Sequence, residues 1–183
     1  MLTPILIAAA LVLIIVSYYN SLVSARTHIQ AAIQEIGNQL KRQAELIPNL
    51  EVSAKAYLKH ETGIIKLLAD ARKMVDAGKD VTQKISELLP KIQVAVESNP
   101  EIKGAEIITN LMNELRDTSD KVMYSRRSLI DLTADYNVKI STFPGMLFAK
   151  AFGFKSETGL STATTGSHLE VSEAETKTPK VSL

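Results

Sequence analysis

The sequence predicts an all-α protein in which an N-terminal transmembrane helix continues into an antiparallel bundle of about four long helices. Three observations favour this fold. No charge occurs before residue 26, apolar residues recur at steps of three and four along most of the chain, and the alternation and Asn-Gly or Asp-Gly turns of β-hairpins are missing. We divide the chain into an anchor (1–19), a helical bundle (20–154) and a flexible tail rich in Ser, Thr and Glu (155–183).

The first element is the anchor helix. Leu2 to Tyr19 is almost wholly apolar, and as a helix it would be about 27 Å long, close to the thickness of a bilayer's hydrocarbon core. The alternative is a cleaved signal, but no basic residue precedes the apolar run and no Ala-x-Ala site follows it. Arg26, Lys41 and Arg42 follow the apolar run, whereas no basic residue precedes it, which favours an outside N-terminus and a cytoplasmic bundle.

The next two predicted helices follow from apolar stripes. The first stripe continues from the anchor to Pro48, which should end or kink the helix. The second runs from Leu50 to Val75 and stops at Gly78, a suitable helix C-cap. The members of the first stripe are Leu22, Arg26, Ile29, Ile33, Ile36, Leu40, Gln43 and Ile47; those of the second are Leu50, Ala54, Tyr57, Glu61, Ile64, Leu68, Ala71 and Val75.

Two more helices complete the predicted bundle. Asp80 offers an N-cap for the third, which should be kinked at Pro90. Asn99 and Pro100 read as the start of a fourth helix that runs to about Ile140. Its apolar series with a seven-residue repeat is Ile108, Leu115, Val122, Leu129 and Tyr136, and its companion series, polar in the middle, is Met112, Ser119, Arg126, Thr133 and Ile140.

A short aromatic segment, MLFAKAFGF, follows Pro144 and ends at Phe154. Two interpretations fit it: it caps the end of the bundle, which we favour, or it dips into a membrane interface.

Several strings, in this order, resemble the LemA family of bacterial membrane proteins. They are YNSLVSAR (19–26), LKRQAELIPNL (40–50), KAYLKHE (55–61), Ala71-Arg72, Arg126-Arg127, DYN (135–137) and Phe143-Pro144. The resemblance implies an N-terminal transmembrane helix in the bacterial inner membrane and a bundle of long antiparallel helices. It implies no settled biochemical activity. The candidate functional positions, taken from these strings and from the polar members of the stripes, are Tyr19, Asn20, Arg26, Lys41, Arg42, Pro48, Asn49, Tyr57, His60, Glu61, Arg72, Arg126, Tyr136, Asn137 and Pro144.

The sequence does not favour an enzyme, a metal site or a cofactor. His60-Glu61 would need a second His at position 64 to form a zinc-protease motif, and Ile64 stands there. The three His residues are dispersed, Cys is absent, and the formal charge of +1 gives no field to attract nucleic acid. The expected partners are therefore a lipid bilayer, other proteins and further copies of the chain.

Charges within the stripes leave two interpretations open. Arg26, Glu61 and Arg126 either form a buried ionic cluster, with Glu61 facing Arg126, or reach solvent at the edge of the bundle, which we favour. Two functions remain: a non-enzymatic scaffold or adaptor that presents the bundle or assembles laterally, or a relay in which a membrane stimulus shifts helix register.

Overall fold

The structure, a computed structural model, describes residues 2–98 and 104–160 and is all-helical over these ranges, which confirms the predicted fold class. The helices are α1 (Leu2–Tyr57), α2 (Thr62–Asp76), α3 (Thr82–Glu97), α4 (Ala105–Ser141) and α5 (Gly145–Phe152). The predicted helix start at Asn99-Pro100, His168 and most of the predicted tail lie outside the described residues.

Helix α1 contains a candidate membrane span. Its N-terminal part is long and apolar enough to cross a bilayer, and none of the apolar window is buried within the protein. The first buried side chain of α1 is that of Leu22, three residues beyond the predicted anchor. A core helix of a soluble domain would be covered by neighbouring elements, and this segment is not.

Beyond the span, α1 and α4 pack side by side in opposite directions. Leu22 of α1 shares an apolar cluster with Tyr136 of α4, and further along α1 Gln43 contacts Ser119 of α4. The residue numbers of the contacts rise along α1 and fall along α4, so the two helices are antiparallel. All five members of the predicted seven-residue series of α4 are buried, as expected: Ile108, Leu115, Val122, Leu129 and Tyr136.

The bundle has two parts. The stalk consists of residues 20–40 of α1 and 120–141 of α4, with a small core around Leu22, Ile29, Leu129 and Tyr136. The head consists of residues 43–57 of α1, α2, α3 and residues 105–119 of α4, and it contains the larger core. The chain thus carries a four-helix head on a two-helix stalk.

Of the two outcomes predicted at Pro48, a helix end or a kink, the end is wrong, because α1 continues to Tyr57. Proline in a helix interior costs about 3 kcal/mol. Its neighbours Ile47 and Leu50 are fully buried in the head, and burying each such side chain is worth about 1.5–3 kcal/mol. Packing therefore outweighs the local penalty. Helix α3 likewise continues through Pro90, which is exposed.

The second predicted stripe is divided between two helices. The chain reverses at Leu58–Glu61, so Leu50 and Ala54 belong to α1 while Ile64 to Val75 belong to α2. Of the two non-aliphatic members of the stripe, Tyr57 is the last residue of α1 and Glu61 is the last residue of the reversal.

The turn between α2 and α3 has the predicted glycine at the end of α2, but the N-cap of α3 is Val81, one residue after the predicted Asp80. Gly78 has a φ of 65°, and it donates a backbone hydrogen bond to the carbonyl of Val75 at 2.8 Å. A left-handed residue at this place suits glycine and satisfies the free carbonyls of a helix end. The Asp80 carboxylate then accepts a hydrogen bond from the Thr82 N–H at the start of α3, at 2.9 Å.

Candidate functional site

The candidate positions fall into separate places in the fold. Four of them meet at the end of the stalk beside the span, three lie in ion pairs of the head or at its base, and the others are spread over surfaces and turns. The first group is Tyr19, Arg26, Tyr136 and Asn137, and the second is Arg42, Arg72 and Arg126.

Aromatic rings hold α5 against α1 at the point where the apolar run ends. The ring of Tyr18 lies 5.1 Å from that of Phe148, measured between centroids. The ring of Tyr19 packs edge-on against Phe152 at 5.2 Å and against Phe154 at 5.7 Å. Pairs in such geometry add about 0.5–1.5 kcal/mol each beyond the area they bury. Helix α5 therefore packs on the end of the bundle next to the candidate span, as the favoured interpretation of its sequence predicted.

The residues after α5, 154–160, form a strap that lies back along the stalk. The Arg26 guanidinium donates to the Glu157 carboxylate at 2.8 Å. Asn137 binds the backbone of Glu157 twice, accepting from its N–H at 3.0 Å and donating to its carbonyl at 2.9 Å. The Tyr136 hydroxyl donates to the Lys155 carbonyl at 3.0 Å. Burial raises the pKa of Tyr136, so the hydroxyl keeps the proton that it donates.

The strap extends the ordered contacts beyond the predicted domain boundary at residue 154. Glu157 was placed in the tail by composition, and its role could not be read from the sequence because it lies 131 positions from Arg26. The sequence feature that comes closest to indicating this site is the string DYN, which contains both Tyr136 and Asn137. The result is one polar site joining α1, α4 and the strap.

Replacing Asn137 by Ala should release the strap. The change removes two hydrogen bonds to the Glu157 backbone, each worth about 0.5–1.5 kcal/mol. We expect faster hydrogen exchange at the amides of residues 155–158 and a fall of about 1–2 kcal/mol in the free energy of unfolding. The control is Asn38→Ala, an exposed position on α1. Unchanged exchange in the strap would contradict these contacts.

A second cluster lies in the head around Glu51, whose carboxylate is buried. It accepts from Lys55 Nζ at 2.6 Å and from Arg72 Nη1 at 3.3 Å, linking α1 to α2. The hydrogen bond from Lys55 and, beside it, the Arg72 guanidinium outweigh the effect of burial and hold the pKa of Glu51 below its usual value. Arg72 is thus a link between two helices of the head.

Glu51 should make the stability of the head depend on pH. A carboxyl with a lowered folded-state pKa contributes stability that is fully present above the unfolded pKa, about 4.3 for Glu, and is lost as pH falls through the folded value. Glu51→Gln should cost about 1–3 kcal/mol at pH 7, and its difference from the unchanged protein should shrink below about pH 4. Urea unfolding at several pH values measures this, with the exposed Glu45→Gln as control. A gap that stays constant down to pH 3 would contradict the pairing.

The less favoured interpretation, in which Glu61 faces Arg126, is wrong. Arg126 pairs with Asp80, in the turn between α2 and α3. Burial would raise the pKa of Asp80, but hydrogen bonds from Thr82 and Arg126 lower it below its usual value. Glu61 lies at the start of α2, where its carbonyl accepts the first backbone hydrogen bonds of that helix. The charges of the stripes therefore sit at the edges of the bundle, as the favoured interpretation held.

The remaining candidate positions do not form a common site. Arg42 pairs with Glu114 at 3.0 Å between two exposed side chains, a contact of about 0–1 kcal/mol. The ring of Tyr57 lies over Gly104, leaving no space there for a Cβ atom. Exposed residues in this group are Asn20, Lys41, Asn49 and His60, and Pro48 and Pro144 are half-buried. Ile33, expected in the first apolar stripe, is 52% exposed.

The seam between α1 and α4 has a buried polar layer. Gln43 donates to the Ser119 hydroxyl at 3.3 Å, and both residues are buried. Over residues 2–98 and 104–160, no three His, Asp or Glu side chains are grouped so that they could hold a metal ion. The polar groups of these clusters hold the helices and the strap together.

A comparison with known protein families found a match for this chain. The family model described as the LemA family matches residues 32–182, most of the chain. No curated protein sequence matches. The matched range begins within the stalk and includes the head, α5 and the strap. The chain belongs to the LemA family.

Proposed function

We propose that this protein is a membrane-anchored, non-enzymatic scaffold or adaptor of the bacterial inner membrane, with its bundle in the cytoplasm. The observation that carries the proposal is the continuity of α1, in which one helix contains both the candidate span and the first segment of the head. From Tyr19 to Tyr57 a straight helix rises about 57 Å. Such a helix presents the head at a set distance from the bilayer.

The stalk offers surfaces for lateral contact. A two-helix stalk has a small core, yet several of its apolar side chains are exposed instead of buried in it. These are Ile33, Met123, Tyr124 and Ile130. A segment that exposes several apolar side chains is a suitable place for contact with another protein. They support a constitutive contact with a protein partner or with further copies of the chain.

Cross-linking in membranes tests this proposal. The chain has no Cys, so Ile33→Cys and Tyr124→Cys give unique reactive sites on the stalk, and Lys73→Cys gives an exposed control on the head. We expect the stalk variants to form the same cross-linked species under all growth conditions. A membrane-permeant reagent should act on intact cells, while an impermeant one should act only after lysis.

Two results would count against the proposal. The scaffold function would be wrong if neither stalk variant formed a cross-link with reagents of any length. Reaction of intact cells with the impermeant reagent would place the bundle outside the cytoplasm.

A signal relay is the second candidate, and the buried Gln43–Ser119 layer favours it. A polar layer lowers the stability of a helix seam relative to aliphatic packing and so makes a change of register less costly. Glu61 and Arg126, which do not pair, give it no support. Cross-links at Ile33 that appear only under one stimulus would favour the relay over the scaffold.

A further inference from the structure

Helix α5 lies at the level where α1 would leave a bilayer. Its Phe148 ring contacts Tyr18, and Phe152 contacts Tyr19, the last two residues of the exposed apolar run. Tyr rings at the end of an apolar span are typical of the headgroup region. An element that packs against both rings is at the same depth as they are.

One face of α5 is covered and the other is not. Gly145 and Ala149 are buried against the bundle. On the outer side the apolar residues are exposed, with Leu147 at 54% and the preceding Phe143 at 77%. Met146 is a further exposed apolar residue of this outer side, whereas the ring of Phe152 packs against Tyr19 on the covered side.

Basic residues lie within α5 and on both sides of it in the chain. Lys139 at the end of α4, Lys150 on α5 and Lys155 in the strap are all exposed. Glu157, the nearest acidic group of the strap, is engaged by Arg26. Apolar residues flanked by lysines match an anionic bilayer surface, where the alkyl stems lie along the apolar boundary and the ammonium groups reach the headgroups.

We propose that the outer face of α5 inserts into the headgroup region of an anionic bilayer, as a second membrane contact beside the span. The proposal rests on the membrane anchoring proposed above. An eight-residue helix binds lipid weakly by itself, but α5 is held against α1, so its insertion costs no further loss of translational freedom. This contact would fix the tilt and rotation of the stalk relative to the membrane.

Single-tryptophan fluorescence in the full-length protein tests the proposal, because the chain has no Trp of its own. The reporters are Leu147→Trp and Met146→Trp on α5, with Ile14→Trp in the span and Tyr124→Trp on the stalk. Tyr124 is 75% exposed and lies about 18 Å along α4 from Tyr136. Each variant is reconstituted in vesicles of phosphatidylcholine and phosphatidylglycerol, in which a phosphatidylcholine brominated near either end of its acyl chains replaces part of the lipid.

We expect both α5 reporters to be quenched more strongly by the shallow bromine than by the deep one. Ile14→Trp should be quenched strongly by the deep bromine. Tyr124→Trp should show little quenching by either bromine. If Ile14→Trp is quenched and neither α5 reporter is, the face does not touch lipid and the proposal is wrong. Unquenched but blue-shifted emission from α5 would mean that a second copy of the chain covers it, which also overturns the proposal. An unquenched Ile14→Trp would instead refute the anchoring.

Discussion

Removing residues 1–16 is expected to turn an integral membrane protein into a soluble one. The segment contains nine Leu, Ile and Val side chains between Ile5 and Val16, each of which favours insertion by about 0.3–0.6 kcal/mol. The full-length chain should stay with the membranes through alkaline carbonate extraction, and the shortened chain should appear in the supernatant. Starting at Ser17 keeps the rings of Tyr18 and Tyr19, which hold α5, and the buried Leu22.

Point substitutions show whether solubility results from loss of the apolar span or only from shortening the chain. Leu11→Arg with Ile14→Arg should cost about 5–7 kcal/mol of insertion, more than the remaining aliphatic residues supply. Ile33→Arg, an exposed apolar position of the stalk, should leave extraction unchanged. Recovery of the full-length protein in the soluble fraction with its first residues cleaved would mean that the segment is a signal.

Leu50→Ala should give one of the largest losses of stability available from one side chain. Leu50 is 0% exposed in the head, two residues after Pro48, and the removal of a buried Leu side chain costs about 2–5 kcal/mol through lost burial and a residual cavity. Because this packing compensates for the proline, α1 should also lose helical content near its C-terminal end. Urea unfolding of the chain that starts at Ser17, followed by circular dichroism, measures both effects.

The matched control is Val52→Ala, on the same helix and 63% exposed. Surface changes of this kind stay within about 0.5 kcal/mol, and Ala is a better helix former than Val. Equal losses from the two substitutions would show that α1 does not pack into the head as described.

The sequence was sufficient for the parts of the fold that depend on local pattern. The seven-residue series of α4 and the turn at Gly78 were both predicted, since each follows from residues within one element. At Pro48 the sequence left a helix end and a kink both open, because the compensating burial of Ile47 and Leu50 depends on partners from other helices. The cost of a proline inside a helix can be recognised from the sequence, whereas the stabilisation from packing against other helices cannot.

The candidate site was predicted only in part for a related reason. The string DYN pointed to Tyr136 and Asn137, which do meet Arg26 at the strap. Their common partner, Glu157, lies in a segment whose composition resembles a tail. The pairing of Arg126 with Asp80 was not predicted, because periodicity gives the face of a helix but not which of its neighbours approaches that face.

The continuity of α1 also constrains how the protein can vary. Adding one residue between Tyr19 and Ile47 would rotate the span by about 100° and shift it by about 1.5 Å relative to the head. Such a change would also move Tyr18 and Tyr19 away from α5 unless α4 changed length to match. The number of residues in the stalk is therefore itself a structural parameter, fixed at both ends by contacts, and insertions in the two stalk helices must occur together.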